Sequence, residues 1–446
     1  MENFWDYSVW SGFNLVAVLL VSLLAANVLK KSIHFLQASL IPASVLGGGI
    51  LIVVAGIYKF ATGEHMFDTA FFGGDGTNTL ELITYHTLAL GFIASAFKPA
   101  KGKLTKKRTV EIFNTGVTTV STYLLQGVFG LAISIVAALV VTDFFPAAGI
   151  LLPFGYGQGT GQALNYGGIF ENDFGFVGGK SFGLTIAALG FLSASIGGVI
   201  HLNIQKKLGR IKITHPEEKA LRSEQIQSDD EIPMQESIDK LTIQIALIAV
   251  AYLLAYLLMV ALGELLPSMK SVIFGFNFLL GVLTATLVKL VMGWLKKKGV
   301  IKKEYTNSFL MTRASNFFFD IMVVAGIAAI RFSVLNNYWG IILIMGVVGL
   351  VITYVYNYIV AKKLFPEYTE EQFLTMYGML TGTISSGVLL LREIDDTFAT
   401  PAANNLVLGS SFAILFGAPM LILIGLAPDS DAMLLLVFAL CAVYLA

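Results

Sequence analysis

Runs of about 20 apolar residues, the length that crosses a bilayer as a helix, recur along the whole chain. They predict helices over roughly Trp10–Leu29, Leu40–Tyr58, Leu82–Phe97, Glu111–Val141 and Ser181–Leu202 in the first half. A second set follows at Leu241–Leu265, Ser271–Leu295, Phe309–Ile330, Trp339–Val360 and Ala403–Leu426. A last apolar run, Ala432–Ala446, reads as a short extra C-terminal segment. The polar stretches between runs alternate in character. Lys30-Lys31, Lys98 to Arg108, Lys206 to Lys212, Lys296 to Lys303 and Lys362-Lys363 are basic, whereas Glu64 to Asp75, Glu171-Asp173 and Asp429-Asp431 are acidic. Basic loops stay cytoplasmic, so the N-terminus is expected outside and the central loop inside.

Two stretches break this pattern. Pro146 to Tyr166 is apolar at its edges, but its middle reads Tyr156-Gly157-Gln158-Gly159-Thr160-Gly161-Gln162-Ala163. Each glycine costs a helix about 1 kcal/mol relative to alanine, and Gln158, Thr160 and Gln162 need hydrogen-bond partners at membrane depth. Irregular backbone is tolerated there only inside protein or along a water-filled cavity. The second stretch, Gln372 to Leu391, contains Tyr377-Gly378-Met379-Leu380-Thr381-Gly382. Both copies read Tyr-Gly-x-x-Thr-Gly, and 377 − 156 = 221 residues separate them in a chain of 446. Each is expected to be a hairpin that enters the membrane and leaves on the same side.

Five spans and one hairpin per half make an odd number of crossings, which turns the second half upside down relative to the first. The expected fold is an all-α polytopic membrane protein with two inverted-topology repeats, 1–204 and 241–428. A hydrophilic cytoplasmic linker, 205–240, joins them, and 429–446 is expected to be an extra C-terminal transmembrane segment. Paired broken elements at matching places in two inverted halves point to the binding site of a secondary transporter.

Composition agrees with this class: 56% of residues are apolar, 13% are charged and the mean hydropathy is +0.77. The net charge of zero argues against a basic surface for nucleic acid. Cys441 is the single cysteine, so no disulfide joins parts of the chain. Met1 to Trp10 has no basic run, so the first apolar run is expected to remain as a span. No nucleophile elbow, Walker loop or zinc-type spacing is present, so no enzymatic activity is expected.

The run Gly157-Gln158-Gly159-Thr160-Gly161-Gln162-Ala163 resembles the Gly-x-Gly-Thr-Gly-x-Ala hairpin of the sodium/glutamate symporter family, and Ile41-Pro42 with Gly47-Gly48 is similar to its second-span motif. The order of spans, hairpins and central loop matches over most of the chain. The second hairpin departs from the family, which has a longer run of small residues where this chain has Thr381-Gly382-Thr383-Ile384-Ser385-Ser386-Gly387. The resemblance implies sodium coupling, an anionic substrate such as glutamate, a homodimer in the lipid bilayer and an elevator-like moving domain that carries both hairpins.

Candidate substrate contacts are Gly159, Thr160, Gly161, Gln162, Thr381, Gly382, Ser385, Ser386 and Arg392. Half-helix N-termini expose N–H groups that suit a carboxylate, and the arginine fork matches one bidentately. The coupling ion, sodium, is expected near Gln158, Thr160, Asn165, Thr383 and Asp320, where hydroxyls, amide oxygens and unwound carbonyls suit it. Asp320 stands in mid-span, with Asn316, Arg313 or His86 as candidate partners. Asn404 and Asn405 are second-line candidates. The plainer reading of the glycines is helix packing, since Gly157 and Gly161 share a face. Taken together, the expectation is a sodium-coupled symporter for a small anionic amino acid. A symporter for another organic acid, coupled to sodium or protons, and a passive channel are the alternatives.

Overall fold

The computed structural model describes residues 3–97, 105–211, 230–234, 238–267, 270–335, 337–395 and 399–446. The Lys98, Lys101 and Lys103 cluster, most of the expected linker (212–229 and 235–237) and Asp396 lie outside them, as does the side chain of Ser385. Among the described residues, fourteen main helices run in order: α1 Tyr7–Ser32, α2 Ala43–Thr62, α3 Gly76–Ala96, α4 Lys106–Val140, α5 Leu151–Phe174, α6 Gly179–Lys207 and α7 Lys240–Leu265. They continue as α8 Asn277–Lys297, α9 Ser308–Ala328, α10 Trp339–Leu364, α11 Thr369–Thr381, α12 Ile384–Arg392, α13 Ala402–Leu426 and α14 Asp431–Leu445.

Capping explains several starts. Thr105 Oγ1 accepts from the Arg108 N–H at the head of α4, Asp239 accepts from Leu241 at α7, and Ser430 accepts from Met433 at α14. Gly63, at φ 80°, closes α2 in the left-handed region. The seventh expected run divides at Phe276 into a short helix, Lys270–Gly275, and α8.

Among the described residues, eight helices are long and apolar enough to cross a membrane: α1, α2, α4, α6, α7, α8, α9 and α10. The protein is therefore an all-α, multi-pass membrane protein by its structure as well as its composition. The expected third span, α3, is not among the eight; its polar residues include Thr77, Asn78, Glu81, Thr84 and His86. The expected tenth, α13, is not counted either, and several of its side chains lie outside the described ones. At 15 residues, α14 is shorter than a span.

The chain packs as two compact units that do not follow the sequence halves. The first comprises 1–82, 104–217 and 323–446, the second 83–103 and 218–322, with the divisions falling inside α3 and α9. In the second unit, Ile93, Phe97, Ile248, Ala251, Ala285 and Met311 form an apolar core. The fully buried Lys240 ammonium donates to Glu231 Oε2 at 2.7 Å, and Asn307 Nδ2 donates to the same oxygen at 2.6 Å. A buried charge is tolerated when it is paired and hydrogen-bonded in this way.

The first unit contains both interrupted elements, and both fold back on themselves. Within α5, Gly159 has φ 76° and ψ −166°, a region essentially confined to glycine. Phe154 and Tyr166 stack with ring centroids 4.1 Å apart. In an unbroken helix their separation, 166 − 154 = 12 residues, would span about 18 Å. The helix direction therefore reverses at Gly159. The second reversal lies at Gly382-Thr383, between α11 and α12, where the backbones close up. A Cβ on Gly378 would lie 2.7 Å from the Gly387 Cα.

Candidate functional site

The tips of the two hairpins touch. A Cβ built on Gly159 would lie 3.3 Å from Thr383 Cγ2 and 3.8 Å from the Gly382 carbonyl oxygen. Gly190 of α6 backs both hairpins: its Cβ would meet the Thr381 carbonyl oxygen at 2.4 Å and the Tyr156 Cα at 3.2 Å. Gly157 does pack, as the plainer reading expects, because its Cβ would strike the Tyr123 ring at 2.0 Å, and the Tyr123 hydroxyl donates to the Gly157 carbonyl at 3.1 Å. Packing and polarity are thus divided between neighbouring glycines: Gly157 admits a ring and Gly159 makes the turn.

Beyond each reversal a half-helix begins, with its N–H groups aimed back at the tip. The first is Thr160-Gly161-Gln162, the second Ile384-Ser385-Ser386. Three residues past each break stands a buried polar side chain. Gln162, 0% exposed, accepts from Asn165 Nδ2 at 3.1 Å through Oε1, while its Nε2 has no hydrogen-bond partner. Ser386, 2% exposed, has an unpartnered Oγ, and that oxygen would lie 2.7 Å from a Cβ on Gly382. Buried donors left unsatisfied cost about 1–3 kcal/mol each, and both stand where helix dipoles favour negative charge.

The other sequence candidates occupy distinct places. Thr160 is fully buried, with its Cβ 2.7 Å from where a Cβ on Gly326 would sit. Thr381 is also fully buried, but its hydroxyl donates to its own helix at the Tyr377 carbonyl, 2.6 Å away. Gln158 and Thr383 are half-buried at the tips. Arg392 is exposed at the far end of α12, eight positions beyond Ile384, which is about 12 Å along a helix. It is therefore not at the tips. Asp320 is exposed and belongs to the second unit. His86, in the same unit, bonds to the Tyr252 hydroxyl at 2.7 Å. Asn404 is exposed, and the buried Asn405 donates to the Tyr368 hydroxyl at 2.9 Å and to Gln372 Oε1 at 3.0 Å.

A second group was not anticipated. Buried Gln126 of α4 donates through Nε2 to the Leu380 carbonyl at 2.9 Å and to Thr353 Oγ1 at 2.8 Å. Buried Asn357 of α10 donates through Nδ2 to the Thr353 carbonyl at 2.9 Å and to Thr122 Oγ1 at 3.3 Å. Because each nitrogen faces a backbone carbonyl, the amide orientations are determined, and the unpartnered atoms are the oxygens Gln126 Oε1 and Asn357 Oδ1. Leu380 lies in the last turn of α11, where free carbonyls carry partial negative charge. The sequence signal was the polar series Thr115, Thr118, Thr119, Thr122 and Gln126, all of it buried, in the membrane-length part of α4. Among the described residues, no three His, Cys, Asp or Glu side chains gather into a metal-holding group. The ligands on offer to a cation are amide, hydroxyl and carbonyl oxygens, which suit a hard monovalent ion.

Anchors hold the second hairpin in place. His201 Nε2 meets Glu370 Oε2 at 2.6 Å and its Nδ1 meets the Tyr354 hydroxyl at 2.8 Å, tying the start of α11 to α6 and α10. A comparison of the chain with family models and with curated proteins finds no match.

Proposed function

We propose that this membrane protein is a secondary active transporter that carries a small anionic amino acid, glutamate in the first instance, together with sodium. The observation that supports the reading most is the meeting of two reversed hairpins with unpartnered buried donors, Gln162 Nε2 and Ser386 Oγ, just past the two breaks. A carboxylate held there accepts from both side chains and from the N–H groups of two half-helices. The cation finds its oxygens beside the carbonyl end of α11, from Gln126 and the helix terminus, with Asn357 joined to Gln126 through Thr353. Opposite charges thus meet opposite helix ends within one hairpin pair, which makes each ligand's binding favour the other's.

The remaining parts of the proposal rest on the resemblance to sodium/glutamate symporters. Two inverted repeats exchange access to the paired hairpins between the two membrane faces, as an elevator within a homodimer. Thermal unfolding of the purified protein with glutamate, with sodium and with both tests the reading. Stabilisation by both that exceeds the sum of the separate effects is expected. No stabilisation by glutamate at any sodium concentration contradicts it.

A further inference from the structure

Away from the hairpins, the first unit carries a cationic pocket that no step of the proposed transport cycle uses. It is walled by Ile52, Phe67 and Ile330 and holds Lys59, His65 and Arg331. Lys59 stands in the last turn of α2, and its ammonium donates to His65 Nε2 at 3.2 Å. Arg331 follows the end of α9, and its Nη2 lies 3.4 Å from Asn78 Oδ1. Its Nε is buried and has no partner. Among the described residues, neither cation has a carboxylate within ion-pair distance. The carboxylate of Asp68, close by in sequence, is held by the Thr77 hydroxyl at 2.8 Å.

Two positive charges in one pocket repel each other, and a buried guanidinium N–H without an acceptor is costly. An oxyanion resolves both. The Nε–H is one prong of the arginine fork that grips phosphate and carboxylate oxygens bidentately. The surroundings indicate where that oxyanion comes from. Most of the pocket lining is apolar, and beside it α2 leaves Val53, Ile57 and Phe60 exposed at 60%, 64% and 95% along a membrane-length helix. A hydrophilic free ion gains nothing from that face, whereas an acyl chain lies against it. Lys59 at the helix end is placed as a headgroup anchor.

We propose that Lys59 and Arg331 form a binding site for the phosphate of an anionic phospholipid, with its acyl chain along the exposed face of α2. This site is independent of the transport reading and stands or falls without it.

The test uses full-length protein reconstituted in phosphatidylcholine nanodiscs with and without a minor fraction of phosphatidylglycerol. Lipid that co-purifies after detergent re-extraction is counted by native mass spectrometry. Wild type should retain phosphatidylglycerol preferentially. Lys59→Gln should reduce that preference, and Lys59→Gln with Arg331→Gln should abolish it, a fall of about tenfold or more for two charge-assisted contacts. Lys59 is exposed, so Lys59→Gln keeps the test valid even where the double variant folds poorly. Equal retention of both lipids by wild type overturns the proposal. So does a preference that Lys59→Gln leaves intact, or stabilisation by inorganic phosphate in phosphatidylcholine with no response to phosphatidylglycerol.

Discussion

Tyr156 and Tyr377, which open the two Tyr-Gly-x-x-Thr-Gly copies, converge on one residue of α6. The Tyr377 hydroxyl donates to the Ser193 carbonyl at 2.7 Å, and the Tyr156 hydroxyl pairs with Ser193 Oγ at 2.9 Å while donating to the Gly346 carbonyl at 2.5 Å. Ser193 Oγ must therefore be the donor to Tyr156. The repeated tyrosines locate both hairpins against one helix. Tyr156→Phe and Tyr377→Phe should each lower thermal stability, by about 1 kcal/mol or somewhat more since the partners are buried. Tyr166→Phe is the control: its hydroxyl is buried with no partner, so its loss should leave the melting temperature unchanged or raise it.

Gly159→Ala tests the reversal. Its φ of 76° and ψ of −166° are closed to a residue with a side chain, and the new methyl would crowd Thr383 Cγ2 at 3.3 Å. A cost of about 1–3 kcal/mol is expected from the backbone alone. Gly161→Ala, inside the half-helix, carries no such backbone strain. The expected outcome is loss of transport at Gly159 greater than at Gly161, at matched expression; equal effects would contradict the assigned role of Gly159.

The donors at the half-helix starts should respond differently from the threonine at the end of α11. Gln162→Leu and Ser386→Ala remove the unpartnered donors and should each weaken apparent substrate affinity by about tenfold, the equivalent of about 1.4 kcal/mol. Thr381→Val should have a much smaller effect on substrate affinity, because that hydroxyl already bonds to Tyr377. Arg392→Lys should also leave substrate affinity nearly unchanged, given its exposure far from the tips. Competition by unlabelled glutamate in a binding assay measures all four.

The unpartnered oxygens predict a separation of the two ligands. Gln126→Leu and Asn357→Leu should raise the sodium concentration needed for half-maximal stabilisation by about tenfold. Saturating sodium should restore substrate affinity. A loss of substrate affinity that sodium does not restore would place these residues outside a cation site.

Much of this architecture was legible in the chain. The apolar run Trp339–Val360 became α10, Trp339–Leu364, and the run at Leu241–Leu265 became α7, Lys240–Leu265, because an apolar run of membrane length satisfies its backbone hydrogen bonds in lipid only as a helix. The break at Gly159 was legible too, since Gly-x-Gly-x-Gly opposes helix through local backbone energetics. Three-dimensional meetings were not. Nothing local indicates that Gly159 faces Thr383, that Tyr156 and Tyr377 share Ser193, or that Gln126 reaches Leu380 across 380 − 126 = 254 residues. Arg392 follows the second hairpin closely in sequence, yet the regular rise of α12 carries it away from the tip.

Under the proposed function, the touching hairpins bind an anion whose movement sodium drives. Uptake of labelled glutamate into proteoliposomes, with an inward sodium gradient and the proton gradient clamped, tests it most directly. Wild type should show concentrative uptake that collapses when choline replaces sodium, and a Gln162→Leu, Ser386→Ala double variant reconstituted to the same level should show near-background uptake. Uptake that is equal in sodium and choline, or a double variant that transports like wild type, would contradict it.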